Sequence, residues 1–286
     1  MTLSFRPDRR AANVLLLSPL LTALPLAARA ATATPADADG ALLKAVIDGP
    51  QRSAANRARD VYRHPFETLR FFGLKPGQTV IEIAPGGGWY TEILAPYLRD
   101  HGHYYAAHNS ATGGSEGARK GRARFEAKLA AEPAVYGHAK VGSMPTAAGF
   151  TDIAPSGGAD LVLTFRNIHN WIEAGNLDDT LRAFYAVLKP GGVLGVEEHR
   201  ATPGTPLAKV IATGYVPVDF VVARARAAGF EPAGSSEVNA NPKDMHEHPN
   251  GVWSLPPTLQ GGEVGKAEFL AIGESDRMTL KFVKPR

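Results

Sequence analysis

The chain has 286 residues, enough for one sizeable α/β domain. It carries 31 basic and 28 acidic side chains and no cysteine, which excludes disulfides, a cysteine-linked lipid anchor and thiol chemistry. The formal charge of +3 belongs to the first thirty residues, so no basic patch argues for nucleic acid as a partner.

Arg6, Arg9 and Arg10 precede an apolar stretch over 11–26, and Ala28-Arg29-Ala30 follows. A positive start, a short apolar core and a small-x-small site read as a secretory signal peptide over 1–30. Arg9-Arg10 would suit twin-arginine export, but Asp8 and Asn13 fit that pattern poorly. The core is short for a membrane span and is interrupted by Pro19 and Pro25. The expectation is a periplasmic or secreted protein with no stable membrane anchor after cleavage. Beyond residue 30 the chain holds 27 basic and 27 acidic side chains.

Residues 31–40 read as a flexible leader, and 41–47 and 53–62 as helices. Asp60 and Arg63 are expected to pair on the second of these. Pro65 suits a helix start, and the helix over 66–72 stops at Gly73. Pro76-Gly77 turns the chain into a first strand carrying Val80, Ile81 and Ile83, an apolar run that suits a buried parallel strand. Gly86, Gly87 and Gly88 follow, and then helical spacing from Tyr90 to Leu98. Strand, glycine turn and helix form the opening unit of a nucleotide-binding α/β fold. A ligand can approach bare backbone there, and the helix offers free N–H groups. The dinucleotide pattern Gly-x-Gly-x-x-Gly fits at Gly86 and Gly88, but Thr91 holds its third place.

A second strand is expected over 103–107, a loop over 109–117, a helix over 119–131 and a third strand over 136–141. A loop over 147–158 leads to a fourth strand, 159–165. An amphipathic helix over 177–188 carries Leu177, Leu181, Phe184 and Leu188 on one face. Residues 189–192 make a sharp turn into a fifth strand, 193–197. A helix over 217–228 closes at Gly229. Strands over 230–238 and 278–283 end the chain, with a Pro/Gly/His/Asn-rich insertion over 239–265 between them. Alternating strands and helices imply a mostly parallel sheet covered on both faces. The expected organisation is a signal peptide (1–30), a leader with N-terminal helices (31–64) and one domain (65–286).

Three stretches in this order resemble the class I S-adenosyl-L-methionine (SAM)-dependent methyltransferases, over roughly residues 65–284. Glu82-x-Ala84-x-Gly86-x-Gly88 is similar to the family's acid-x-Gly-x-Gly-x-Gly motif, with Ala84 in the first glycine's place. Ala159-Asp160-Leu-Val-Leu, followed by Ile168-His169-Asn170-Trp171, is similar to the fourth-strand motif. Leu188-Lys-Pro-Gly-Gly-Val-Leu194 is similar to the turn before the fifth strand. Gly-Gly-Gly-Trp-Tyr-Thr and the late Gly-Val-Trp-Ser-Leu-Pro-Pro look like an exported branch of the family.

The resemblance implies a Rossmann-like fold with a mostly parallel seven-stranded sheet and helices on both faces. It implies SAM as cofactor, a small-molecule acceptor and methyl transfer as the activity. Ala84, Pro85, Gly86, Gly87 and Gly88 would contact the methionine and ribose parts, Glu82 the methionine ammonium, and Phe165 and Arg166 the reacting end. Where the family places a ribose-binding acid, this chain has His108, followed by Asn109. Gly142 and Ser143 stand where another acid is often found. A neutral histidine makes one hydrogen bond where a carboxylate accepts two. SAM is also made in the cytoplasm. A second expectation is therefore a methyltransferase fold turned to another extracytoplasmic small molecule without SAM, as a binding protein or as an enzyme that could depend on a metal.

Methyl transfer needs near-attack geometry and sometimes a base. His169 is the first candidate for that base, with Asn167 and Asn170 beside it; Trp171 is a pocket wall or a core residue. Glu198 and His199, which end the fifth strand, are the other catalytic candidates, and of Glu197 and Glu198 one should face the site and the other away. Tyr90, Asp60 and Arg63 are candidates for the entrance. His246 and His248, with His199, raise a metal reading, while a polar lid is the plainer role for their loop. No residue is assigned as a metal ligand. Gly113-Gly-Ser115-Glu-Gly117 matches the hydrolase Gly-x-Ser-x-Gly but follows a loop rather than a strand.

Overall fold

The computed structural model describes residues 35–146 and 148–286, so the signal-peptide reading lies outside the described residues. Eight strands form one sheet: β1 (Thr79–Ile83), β2 (His103–His108), β3 (Lys140–Thr146), β4 (Gly149–Thr151), β5 (Ala159–Phe165), β6 (Leu188–His199), β7 (Glu231–Ser236) and β8 (Arg277–Val283). Their order is β4-β3-β2-β1-β5-β6-β8-β7. From β3 to β6 the strands run parallel, while β4, at one edge, and β8 pair antiparallel with their neighbours. The chain builds outward from β1 to β3 and then returns to β5 on the other side of β1. That reversal opens a crevice at the carboxyl ends of β1 and β5, where open α/β sheets hold ligands.

Strand alternation divides the core between the two faces. Ile81, Ile83 and Val162 pack with Phe184 and Val221 on one face. Val80, Leu161 and Leu163 pack with Leu43, Phe72 and Ile93 on the other. Gly195 in β6 admits no side chain, because a Cβ there would lie 2.7 Å from both Leu163 and Phe72.

Several expectations about elements are corrected. Residues 133–136 are helical (Pro133–Tyr136), and the third strand starts at Lys140. Proline at the first helical position favours that turn, and Tyr136 N–H bonds Glu132 O at 3.0 Å. The loop over 147–158 contains β4, the eighth strand. Residues 189–192 form the irregular start of β6 rather than a separate turn, with a register shift against β5. The helix expected over 53–62 is two short ones, Ala54–Arg57 and Asp60–Arg63. Helices Ile168–Glu173, Leu207–Thr213 and Lys266–Ile272 are additions to the expected set. Leu43 lies in the core and Arg52 is buried, so the helices before Pro65 pack on the same sheet. Among the described residues, no helix is long and apolar enough to cross a membrane.

Candidate active site

The glycine turn begins where β1 ends. Ala84 N–H bonds Ala107 O at 2.8 Å, which joins the ends of β1 and β2. Ala84 and Gly86 both have positive φ, at 48° and 59°. The three glycines have different reasons. A Cβ at Gly88 would meet Phe125, Lys128 and Thr91 at 3.2–3.3 Å and the backbone there has φ +85°, so packing and conformation both favour that glycine. A Cβ at Gly86 or Gly87 would meet nothing within 4 Å. Those two present bare backbone to open space, which packing does not require.

That space is a cavity of about 470 Å³ at the carboxyl ends of the strands. Ala84 to Gly87 line one side. Arg59 and Arg63 come from the N-terminal helices, Arg166 from the end of β5, His169 from the helix that follows, and His199 from the end of β6. Val252, Trp253, Pro256 and Pro257 of the 239–265 insertion complete the wall. Glu82, Gly88, Tyr90, His108, Asn109, Phe165 and Glu198 do not line it.

Glu198 and Glu197 point to opposite faces of β6, as alternation demands, and neither enters the cavity. Glu198 accepts from Ile168 N at 2.5 Å, His169 N at 3.4 Å, His169 Nδ1 at 3.0 Å and His199 N at 2.8 Å. A carboxylate has about four lone-pair sites, and all are used. Glu198 therefore holds the His169 ring and does not itself reach the cavity. Because it can only accept, it fixes the proton of His169 on Nδ1 and leaves Nε2 to the cavity. Burial disfavours the imidazolium, but the charge and hydrogen bond of Glu198 outweigh it and raise the His169 pKa above 6.5. His199 lies 5.4 Å away, centroid to centroid, and its Nδ1 is 2.6 Å from Ser275 Oγ. Burial, reinforced by His169, pushes the His199 pKa well below 6.5, so His199 is the neutral member of the pair.

Donor atoms of His169, Glu198 and His199 lie within 4.8 Å of one another, near enough to surround a cation. The saturated oxygens of Glu198 argue against that use. The looser grouping of His199 with His246 and His248 is not formed. His246 Nε2 is 3.3 Å from Asp276, His248 Nε2 is 2.8 Å from Asp244, and the Tyr215 ring packs against both His199 and His246.

Behind the cavity, Glu197 accepts from Arg166 Nη1 at 2.8 Å, Arg277 Nη1 at 2.9 Å and Tyr90 OH at 3.0 Å. Glu274 accepts from Arg59 Nε at 2.7 Å, Arg63 Nε at 3.0 Å and Arg277 Nη1 at 3.3 Å. Burial would raise both carboxyl pKa values, but the arginines hold them below 4.5. Tyr90 is stacked on Phe165 at 3.6 Å, and both rings are buried behind the cavity wall. Arg63 is bound to Glu274, while Asp60 pairs with Arg52 at 2.6 Å, so the expected Asp60–Arg63 pair does not form.

Glu82 does not reach the cavity wall. It faces the helix Thr91–Leu98 and accepts from Tyr104 OH at 2.6 Å and Thr91 Oγ1 at 2.9 Å. Burial raises its pKa to about 7. His108 accepts Asn109 N–H on Nδ1 at 2.7 Å, which puts its proton on Nε2, 3.3 Å from Gly86 O. Burial lowers its pKa. Beside it, Arg122 Nη1 spans Asn109 O, Gly142 O and Ser143 Oγ at 2.9–3.3 Å. Ser115 caps the helix Glu116–Ala131 by accepting Ala118 N–H, and Trp171 is core against Phe184. Arg59, Glu274, Ser275 and Trp253 are site residues that sequence reasoning missed; only the i,i+4 spacing of Arg59 and Arg63 hinted at a shared face.

No protein-family model and no curated protein matches the chain. Solved structures do. A SAM-dependent methyltransferase from Aquifex aeolicus is 16% identical with a TM-score of 0.53, over 86% of this chain and 98% of that one. The [4+2]-cyclase SpnF is 20% identical with a TM-score of 0.57, over 86% and 92%. A sarcosine dimethylglycine methyltransferase, so named as putative, from Galdieria sulphuraria is 12% identical with a TM-score of 0.54, over 84% and 89%. The chain has the fold of the class I SAM-dependent methyltransferases.

Proposed function

We propose that this protein is an exported SAM-dependent methyltransferase acting on a small molecule, with His169 as its base. One observation carries the reading: the bare backbone of Gly86 and Gly87 and the oriented imidazole of His169 face the same cavity. Ala84, Pro85, Gly86 and Gly87 would hold the methionine part of SAM. SAM supplies a methyl group already activated as a sulfonium. The protein then has to hold the acceptor in line and remove its proton. His169 Nε2 accepts that proton, and Glu198 stabilises the imidazolium. Neutral His199, held by Ser275, orients the acceptor beside it.

A second reading is favoured by the closed ribose end. His108 donates toward Gly86 O and Arg122 ties the ends of β2 and β3, where a ribose-binding carboxylate would be expected. SpnF carries the same fold under the name of a cyclase. On this reading the site acts on another small molecule without SAM. Calorimetric titration of SAM and its demethylated product into the purified protein separates the two. Micromolar binding supports methyl transfer, and none at millimolar SAM supports the second reading.

A further inference from the structure

Among the described residues, four guanidinium groups, from Arg59, Arg63, Arg166 and Arg277, share only the two carboxylates of Glu197 and Glu274. Asp60 does not offset the surplus, because Arg52 holds both of its oxygens. Arg59, Arg63 and Arg166 line the cavity, while Arg277 stands behind them. Among the described residues, Arg63 bonds through Nε alone although its side chain is 4% exposed. The Arg166 side chain bonds only through Nη1. Arg59 bonds only through Nε, and its buried Nη2 has no partner.

These groups are held in place rather than left mobile. The Arg63 guanidinium lies 4.9 Å from the Trp89 ring centre and is gripped by Glu274 on its other side. Arg166 has φ +61°, a left-handed backbone that strains an arginine. Crowding has a further sign: burial, then the charge of Arg166, lowers the Arg63 pKa to about 9. A buried cation surplus with free planar forks suits a bidentate oxyanion. Another part of the wall is apolar, made by Trp253, Val252, Pro256 and Pro257.

We propose that the cavity binds a small organic acid, its carboxylate on the free forks of Arg63 and Arg166 with Arg59 at the rim, and its apolar body against Trp253 and the Pro256-Pro257 wall. This names the substrate class for the site proposed above and rests on that reading's choice of cavity. The same chemistry could instead serve the carboxylate of SAM itself.

The test uses the purified full chain without SAM, with benzoate as probe, followed by tryptophan fluorescence and calorimetry. Wild-type protein should bind benzoate, and Arg59→Gln and Arg166→Gln should each weaken binding tenfold or more. Arg166→Lys, which keeps the charge but loses the fork, should recover only part. Thermal unfolding of each variant identifies any that fails to fold, and the partly exposed Arg59 provides the milder lesion. No benzoate binding by wild type, or unchanged binding in both folded glutamine variants, overturns the proposal. Competition arms distinguish the sources. If SAM displaces benzoate while methylthioadenosine, which lacks the amino-acid carboxylate, does not, the arginines belong to SAM and the proposal falls. If SAM and benzoate bind together, it stands. Benzoate binding with no SAM binding keeps this proposal and removes the methyl-transfer reading.

Discussion

His169 Nδ1 lies 3.0 Å from Glu198 Oε1, and the same carboxylate also takes the backbone N–H groups of Ile168, His169 and His199. One buried anion thus fixes the start of a helix, the end of a strand and the tautomer of an imidazole. In Glu198→Gln the negative charge that raises the His169 pKa is gone. NMR titration of the His169 ring should show its pKa falling toward or below 6.5. The sign for stability follows: a raised histidine pKa contributes stability below 6.5 that is lost as pH rises through the folded value. The variant should lack that contribution. It should also be less stable by about 1–3 kcal/mol, because an amide cannot accept all four bonds. An unchanged His169 pKa would remove Glu198 as its positioning residue.

The glycine turn can be tested without disturbing the backbone. Gly87 has ordinary φ and open space where a Cβ would go, so Gly87→Ala should leave urea-unfolding stability within about 0.5 kcal/mol of wild type. Under the methyltransferase reading it should weaken SAM binding about tenfold, since the methyl enters the cradle. Gly88→Ala should do the reverse in kind, losing stability, because φ is +85° and Phe125, Lys128 and Thr91 crowd the site. Gly86→Val would mix the two effects, as φ there is +59°.

Much of the frame was legible because it follows from local rules. Val80, Ile81 and Ile83 gave β1, the glycines gave the turn, and alternation along β6 separated Glu197 from Glu198. Motif spacing does not say which partners Glu82 meets; alternation along β1 turns it toward Tyr104 and Thr91. The arginine cluster was illegible for a different reason. Arg59 and Glu274 are 215 residues apart in sequence, and only closure of β8 beside β6 brings them together. Pro133 shifted the third strand by capturing its expected start for a helix.

Glu82 makes stability depend on pH in a predictable direction. Its pKa rises from 4.5 to about 7, chiefly through burial. Between those values the folded protein keeps a proton that the unfolded chain has released, so stability falls as pH rises across the window and levels off above it. Glu82→Gln keeps an acceptor for Tyr104 and Thr91 without the buried charge. Relative to wild type it should gain up to roughly 3 kcal/mol at about pH 8 and almost nothing near pH 4.5, measured by urea unfolding at both. An equal effect at the two pH values would mean that Glu82 is not protonated in the fold.

Asp244 holds the insertion that forms the apolar wall of the cavity. It is 4% exposed. It accepts from Tyr215 OH at 2.9 Å, His246 N at 2.9 Å, His248 Nε2 at 2.8 Å and Asp276 N at 2.8 Å. Asp276 in turn holds Arg200 and the N–H of Asn241, so the loop is tied to the ends of β6 and β8. Asp244→Ala would leave these buried donors without an acceptor, at a cost of about 3–5 kcal/mol. The loss should be local before it is global, because the donors set free lie within the insertion and at the strand ends beside it. Limited proteolysis should then cut first within 239–265, and Trp253 fluorescence should shift toward that of a solvated indole. His248→Gln, which keeps a donor toward Asp244, should show little of either change. A protease-resistant Asp244→Ala with unaltered fluorescence would mean that the loop is held by its own packing, and that the wall of the cavity does not depend on this carboxylate.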